Sequence, residues 1–412
     1  MNVEVVKTVP IKYEWVLQSY KKVRRGGKAA GIDQESWVDF DKNVEKNLYV
    51  IWNRLASGSY HPQAVRSVEI PKKDGSMRNL GIPTLRDRIS QEVVKTYMED
   101  RIDMKFHKNS YGYRPLKSAH QALRAVKDNC YGYDWVIDMD ISKFFDEIDH
   151  ELMMLAVEKV MPEKWVHTYV RRWLEMPIQD EKGEIHQKNG KGTPQGGVIS
   201  PLLSNLYLHF TLDKWFEKNH PEISFVRYAD DVVVHCKSKQ QAEAVLKSIK
   251  TRLGQTKLSI KESKTKIAYC KDYRRNQKVE NVSFDYLGYS FKPIKIIKGK
   301  SVFLGFGGVM SKTNQKKINT ELRNNKQLRS TEIELEVISK SLNPKLRGWI
   351  NYYSLFGKAS LYKVLKRLDS RILKWVMKKF RLYTKKAIQK IQEIKRVNPK
   401  LFYHWEKGIT AF

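Results

Sequence analysis

The sequence predicts a mixed helix-and-strand body followed by a basic, all-helical C-terminal region, and three observations carry that prediction. Short β-branched runs alternate with helical patterns from His61 to about Pro293, the pattern changes across a lysine-rich, glycine-containing stretch from Lys292 to Gly308, and positive charge gathers beyond it. The strand-like runs are AVRSVEI (64–70), DWVIDMD (134–140), SFVRYADDVVVHC (224–236) and VSFDYLGYSF (282–291). Ahead of them, residues 1–60 read as helical pieces interrupted by GGKAAGID (26–33), whose glycines mark a turn or a close backbone approach. The expected divisions are therefore 1–60, 61–293 and 294–412, with the stretch at 292–308 acting as a separator. In the last region LYKVLKRLDSRILKWVMKKF (361–380) repeats Leu361, Val364, Leu365, Leu368, Ile372, Leu373, Val376 and Phe380 at helical spacing, with Lys and Arg on the other faces.

Charge narrows the partner. The chain carries 77 Lys and Arg against 45 Asp and Glu, a net +32, which makes a polyanion the natural counterpart. Residues 301–412 hold 25 of the basic and 7 of the acidic residues, so more than half of the excess lies in about a quarter of the chain. A basic amphipathic helix with one apolar face is in any case a packed helix; the surplus of one sign is what favours a phosphate backbone over simple solvation. Three scattered cysteines, Cys130, Cys236 and Cys270, form neither a disulfide framework nor a Cys-based zinc site and fit a reducing cytoplasm. The start has charge from position 4, and the longest charge-free run, Gly192–Leu212, contains two prolines and three glycines, so a secretory signal and a membrane span are both excluded and a cytoplasmic location is expected. GKS at 299–301 lacks the glycine a phosphate-binding loop needs at 294, where Ile294 stands.

The chemistry is concentrated in two segments. In FVRYADDVVVHC, Asp230 and Asp231 interrupt an apolar run, the pattern of two strands joined by a tight turn. An isolated Asp-Asp pair is more often only a turn. Ninety positions earlier, however, Asp138 and Asp140 end another apolar run just before ISK. Acids at the ends of neighbouring strands repel one another and rise in pKa unless cations lie between them, and a pair of Mg²⁺ ions is the usual arrangement for phosphoryl chemistry.

At this point the motifs, taken in order, resemble those of group II intron-encoded reverse transcriptases/maturases. YADD (228–231) is similar to the catalytic turn of reverse transcriptases; VEIPKKDGSMRNLGIPTLRDRISQ (68–91) and SYGYRP (110–115) resemble the fingers motifs, VIDMDISKFFDEIDH (136–150) the first catalytic motif and GTPQGGVISPLLSNLYL (192–208) the template and nucleotide motif. LSIKESKTK (258–266) and FDYLGYSF (284–291) follow, LNPKLRGWINYY (342–353) and NPKLFYHWEKG (398–408) resemble the thumb or maturase region, and GGKAAGID resembles the N-terminal extension of non-retroviral members. The form QGxxxSP at Gln195–Pro201 points to group II enzymes. The resemblance implies an α+β right-hand polymerase fold, with fingers and a palm built on a small antiparallel sheet, followed by an all-α basic thumb. Appended DNA-binding and Cys/His endonuclease domains, which many members carry, are not expected, so a primer or nick would come from elsewhere.

The resemblance also implies roles. Asp140, five residues before Phe145, and Asp230 would hold two Mg²⁺ ions, with Mn²⁺ as a substitute, Asp231 completing the site and the Ile141 carbonyl adding a ligand. Asp138 would sit on the neighbouring strand face as a supporting acid. Phe145 would exclude a 2′-hydroxyl, Arg66, Lys72 and Arg78 would contact the triphosphate, and Gln195 and Lys264 would complete the dNTP site. Left to themselves, Phe145 is as readily a core aromatic and the three basic residues a solvated face. Arg347, Trp349, Tyr352, Lys374 and Lys378 are the candidates for RNA contact by charge and stacking, although core packing suits Trp349 equally. The expected partners are a template or intron RNA, a DNA or RNA primer and dNTPs, with no membrane; oligomeric state is not written in the sequence. Alternatives within the same reading are a domesticated enzyme in phage defence or DNA repair and a splicing-only RNA-binding maturase.

Overall fold

The computed structural model describes residues 9–71, 75 and 77–412. In chain order the elements are α1 (Tyr13–Val23), α2 (Trp37–Asp41), α3 (Val44–Ala56), β1 (Val65–Pro71), β2 (Met77–Ile82), α4 (Leu85–Ile102), α5 (Ala119–Gly132), β3 (Trp135–Asp140), α6 (Phe144–Glu147), α7 (His150–Val160) and α8 (Lys164–Glu175). There follow β4 (Ile178–Gln179), β5 (Ile185–His186), α9 (Ser200–Leu208), α10 (Lys214–Asn219), β6 (Ser224–Tyr228), β7 (Asp231–Cys236), α11 (Lys239–Gln255) and β8 (Lys266–Tyr269). The chain ends with β9 (Phe284–Tyr286), β10 (Tyr289–Lys298), β11 (Ser301–Met310), α12 (Lys312–Asn324), α13 (Leu335–Tyr353), α14 (Ala359–Lys379), α15 (Thr384–Val397) and α16 (Tyr403–Glu406). Helices and strands mix as far as Met310, and every described helix or strand after it is helical, as the predicted fold class requires. No described helix is long and apolar enough to cross a membrane.

Two compact units emerge, neither of them continuous in sequence: one takes the residues up to Ser118, Met139–Val232 and Glu243–Thr265, the other Ala119–Asp138, Val233–Ala242 and Lys266–Phe412. In the first, β1 and β2 form an antiparallel hairpin extended by β4 and β5. Its register sets Arg66 opposite Ile82 and Ile70 opposite Arg78, which turns Arg66 and Arg78 to one face of the hairpin. The segment 26–33 is docked by its carbonyls: Arg66 Nη2 donates to Ala30 O at 2.7 Å, Arg88 Nη1 donates to Gly27 O at 3.2 Å, and Arg88 Nη2 donates to Ala29 O. The charge-free run includes α9, nearly every residue of which is buried, so its lack of charge marks an interior helix.

In the second unit β3 pairs antiparallel with β8, Val136 opposite Ala268, and β9, β10 and β11 form a meander. The expected separator at 292–308 is thereby corrected. It is the long β10–β11 hairpin, with the turn at Gly299 (φ +59°) and Gly305 and Gly307 lying where the Ile296 and Ile294 side chains cross the sheet. The division drawn at 293/294 falls inside β10. Beyond it, Leu335, Ile338, Leu342 and Leu346 of α13 share one buried core with Leu361, Val364, Leu365, Leu368, Ile372 and Val376 of α14, the stripe expected from spacing, although Phe380 stays exposed. Asp369, on the same helix, is buried and accepts from His404 Nε2 (2.8 Å), Trp405 Nε1 (2.7 Å) and the Ala411 N–H (2.6 Å).

Candidate active site

The turn at 228–231 is set up by apolar strands on both sides and by one strained residue. β6 and β7 flank it, Val226, Val232 and Val233 are buried, and Ala229 takes φ +55°, a left-handed conformation that costs an L-residue about 1 kcal/mol. What holds the turn is a buried network. Arg227, fully buried, grips Asp213 with Nε at 2.8 Å and Nη2 at 2.6 Å, while its Nη1 donates to Asn205 Oδ1 at 2.9 Å and to Ala229 O at 3.1 Å. Asn205 Nδ2 in turn donates to Gly112 O at 2.7 Å. Gly112 lies so close beneath the turn that a Cβ there would collide with Ala229 N and stand 2.9 Å from the Tyr228 carbonyl carbon. SYGYRP and the run ending in LYLHFTLD are thus brought to the back of YADD.

Asp140 closes β3, and the LSIKESKTK segment is bonded to it. Lys261 N donates to Asp140 O at 2.8 Å, Asp140 N donates to Thr265 Oγ1 at 3.4 Å, and Lys264 Nζ stands 3.7 Å from Asp140 Oδ2. Asp140 acts on Asp230. Burial pushes the Asp230 carboxyl up, its own backbone N–H pulls it down, Asp140 raises it again, and Arg78 and Arg227 oppose; the result lies above the usual carboxylate range. Asp231 is exposed. Asp138 requires a correction: two residues from Asp140 on one strand, it occupies the same face of β3, about 7 Å along, and stands 4.0 Å from Lys266. Alternation along a strand separates neighbours, not residues two apart.

The remaining candidates divide by environment. Arg78 is exposed and within the field of Asp230, whereas Arg66 is half-buried with Nη2 committed to Ala30; Lys72 lies outside the described residues. Phe144 is core, and Phe145 beside it is half-exposed, its carbonyl accepting from Thr193 N at 2.8 Å. The Gln195 carbonyl accepts from Gly81 N at 2.8 Å and its Nε2 donates to Asp146 Oδ1 at 3.4 Å; Gly196 takes φ +127° because the loop presses on β2. Ile141 is buried and bridges Ile260. Tyr113, not singled out by sequence, is 55% exposed, its ring 6.5 Å from Tyr228, and its phenol is raised by burial first and then by Asp230, Tyr228 and Asp231. Among the described residues, the side chains whose possible ligand atoms all lie within 4.8 Å of one another are Asp180, Glu184 and His186, on the exposed β4–β5 hairpin, and not the three aspartates.

In the helical region, Arg347 is exposed over the Tyr403 ring at 5.1 Å and Trp349 packs half-buried against the core. The Tyr352 hydroxyl donates to Leu287 O at 2.7 Å and its carbonyl accepts from the Tyr289 hydroxyl at 2.6 Å, so this side chain serves packing. Lys374 and Lys378 are exposed on α14.

Comparison with known proteins places the chain in a family. The family described as "Reverse transcriptase (RNA-dependent DNA polymerase)" matches residues 70–291, and "Group II intron, maturase-specific domain" matches residues 315–395. Protein YkfC of Escherichia coli (strain K12) is 33% identical over 298 residues, 63% of this chain and 78% of its own. Group II intron-encoded protein LtrA of Lactococcus lactis subsp. cremoris is 34% identical over 206 residues, 48% of this chain and 33% of its own, so the chain spans about a third of that relative. Telomerase from Candida albicans, solved in complex with a fragment of telomeric RNA, aligns over 84% of this chain and 66% of its own at 12% identity and a TM-score of 0.46, too remote to add to the assignment.

Proposed function

We infer the activity from the premise that this chain belongs to the reverse transcriptase (RNA-dependent DNA polymerase) family and carries the maturase-specific domain of group II introns: it is an RNA-directed DNA polymerase that binds intron RNA, assists its splicing and supports retromobility. The observation that carries this reading is the pairing of Asp140 with Asp230, two acids from different strands in one field, the second on a turn fastened from behind by Arg227. Carboxylates held in one field, Asp230 largely buried and Asp140 half-buried, keep their charge at neutral pH more easily with a cation beside them than without one.

The donor set fits such a cation. Carboxylates of Asp140, Asp230 and Asp231 with the Ile141 carbonyl are hard oxygen ligands suited to Mg²⁺, and Mn²⁺ would substitute. A bound pair of these ions supplies charge neutralisation for phosphoryl transfer and lowers the pKa of the primer 3′-hydroxyl. The chain's own groups do the rest. Arg78, exposed and already acting on Asp230, meets the triphosphate with a planar fork, and Lys72 and Arg66 follow by family resemblance. Lys264, beside Asp140, keeps the acid oriented and adds charge toward the dNTP. Phe145 offers its ring to the sugar and disfavours a 2′-hydroxyl, while Gln195 faces the nascent pair. In the maturase region Arg347, Trp349, Lys374 and Lys378 meet RNA, with Tyr352 supporting them from within.

Extension of a DNA primer on an RNA template tests this. Asp230→Asn is expected to abolish synthesis while RNA affinity is largely kept, and a joint collapse of both would remove the site assignment. In the same assay Phe145→Ala should raise ribonucleotide incorporation roughly tenfold or more, the scale of a steric selection worth about 1.4 kcal/mol; unchanged selectivity would return Phe145 to the core.

A further inference from the structure

The helical unit contains a groove that its acids avoid. Arg367, Arg371, Lys374 and Lys378 recur at spacings of four, three and four on α14, which aligns them in one stripe about 16 Å long. α12 packs against α14 and brings Arg323 to the same groove, and the turn after α12 adds Arg329, whose Nη2 donates to Arg323 O at 2.7 Å. Trp375 Nε1, donating to Ser330 O at 2.8 Å, fastens that turn to α14. Two adjoining cavities result, of about 130 Å³ and 490 Å³, with Arg323 and Arg371 lining both. Neither is lined by an Asp or a Glu.

The nearby acids are used elsewhere. Glu321 pairs with Lys345 at 2.6 Å, Glu334 pairs with Lys379 at 2.7 Å, and Asp369 turns inward to His404. Among the described residues none of the six groove cations makes an ion pair, and Arg371 is lowered by burial first and then by Arg323 and Arg329. Like charges crowded without a counter-ion are costly, and a phosphate relieves that cost with bidentate geometry. The apolar side chains behind the groove, Leu322, Leu328 and Trp375, are themselves buried, so an anchor for a protein partner is missing there.

We propose that this groove is a phosphate-binding subsite for RNA, in which Arg323, Arg329 and Arg371 take one backbone phosphate and Arg367, Lys374 and Lys378 carry the strand along α14. It rests on the reading that the maturase region binds RNA and deepens it, since four of these residues lie outside the set suggested by sequence.

The test uses the full chain and a 20-base-pair RNA hairpin, with binding measured by fluorescence anisotropy across a salt series. Arg323→Gln with Arg371→Gln should weaken binding roughly tenfold and make the salt dependence shallower by about two contacts, each worth about 0.7–0.9 in the log–log slope. Lys345→Gln with Lys379→Gln, whose lysines already face acids, should leave the slope as in the wild type. Equal slopes for wild type and the arginine pair would overturn the proposal, as would competition by polyglutamate as effective as by RNA. If the arginine variant fails to fold, photocrosslinking of wild type to 4-thiouridine-containing hairpin decides: crosslinks in 323–329 and 367–378 support the subsite, and crosslinks confined elsewhere refute it. Asp230→Asn separates the two readings, because it should lose synthesis with the wild-type slope intact.

Discussion

Replacing Arg227 by Leu removes the cation that holds the back of the catalytic turn, and the size of the effect follows from its contacts. Four hydrogen bonds disappear, and Asp213, fully buried, loses its bidentate partner. Burial alone pushes the Asp213 carboxyl up, but Arg227 and His209 hold it below the usual range. Breaking such a pair leaves an uncompensated buried charge, a loss of about 3–5 kcal/mol. At roughly 2 °C per kcal/mol for a chain this large, the melting midpoint should fall by about 6–10 °C. The sign with pH is informative. With Arg227 present Asp213 stabilises the fold above the unfolded carboxyl pKa of about 3.9, and that contribution is lost as pH falls through its depressed folded value. Without Arg227 the same carboxyl has a raised folded pKa, so the variant is penalised most at neutral pH and the gap to wild type narrows toward pH 4. Synthesis should drop by about 100-fold, the scale of an ångström-sized displacement of the reacting groups. Thermal melts at pH 7.5 and 4.5, with primer extension on the same preparations, make the comparison. A variant that melts with wild type at both pH values and extends at the wild-type rate would refute the account of the turn.

Gly112→Ala tests the same turn from the other side: the new Cβ must displace Ala229, so primer extension should fall at least tenfold with far-ultraviolet circular dichroism unchanged, and full activity would show that the turn moves without consequence. Asp369→Asn should destabilise the helical unit by about 2–3 kcal/mol, because one amide oxygen cannot replace a carboxylate accepting three bonds. His404 and Trp405, with the Ala411 N–H, overcome burial and hold the Asp369 carboxyl below its usual range, so its stabilisation is complete above about pH 4 and is lost as pH falls below it. A deficit that stays constant from pH 7 to pH 3 would contradict this.

Much of the architecture was legible because it rests on local periodicity. The stripe of α14 and the hairpin around YADD both follow from spacing that a strand or a helix enforces. Lys292–Gly308 misled because its lysines and glycines look like a linker, whereas the glycines are gaps that admit Ile294 and Ile296 across the ribbon, a relation visible only once the strands pair. Arg227, Asp213 and Asn205 are not marked by local pattern because their bond network joins residues up to 93 positions apart through the interior. A signal was nonetheless present. An arginine inside SFVRY and an aspartate closing the apolar LYLHFTLD are charges where none should survive alone, and two such misfits of opposite sign suggest each other. Asp138 shares its face of β3 with Asp140, as the spacing of two along a strand requires.

Ala229 has a consequence for anyone seeking a hardier version of this protein. Glycine would adopt φ +55° without penalty, so a screen for heat tolerance would favour it. The same change would loosen the single peptide from which Asp230 and Asp231 project, and the gain in endurance would come from the stiffness that aims them. A library selected on survival alone would therefore drift toward well-folded molecules that copy poorly.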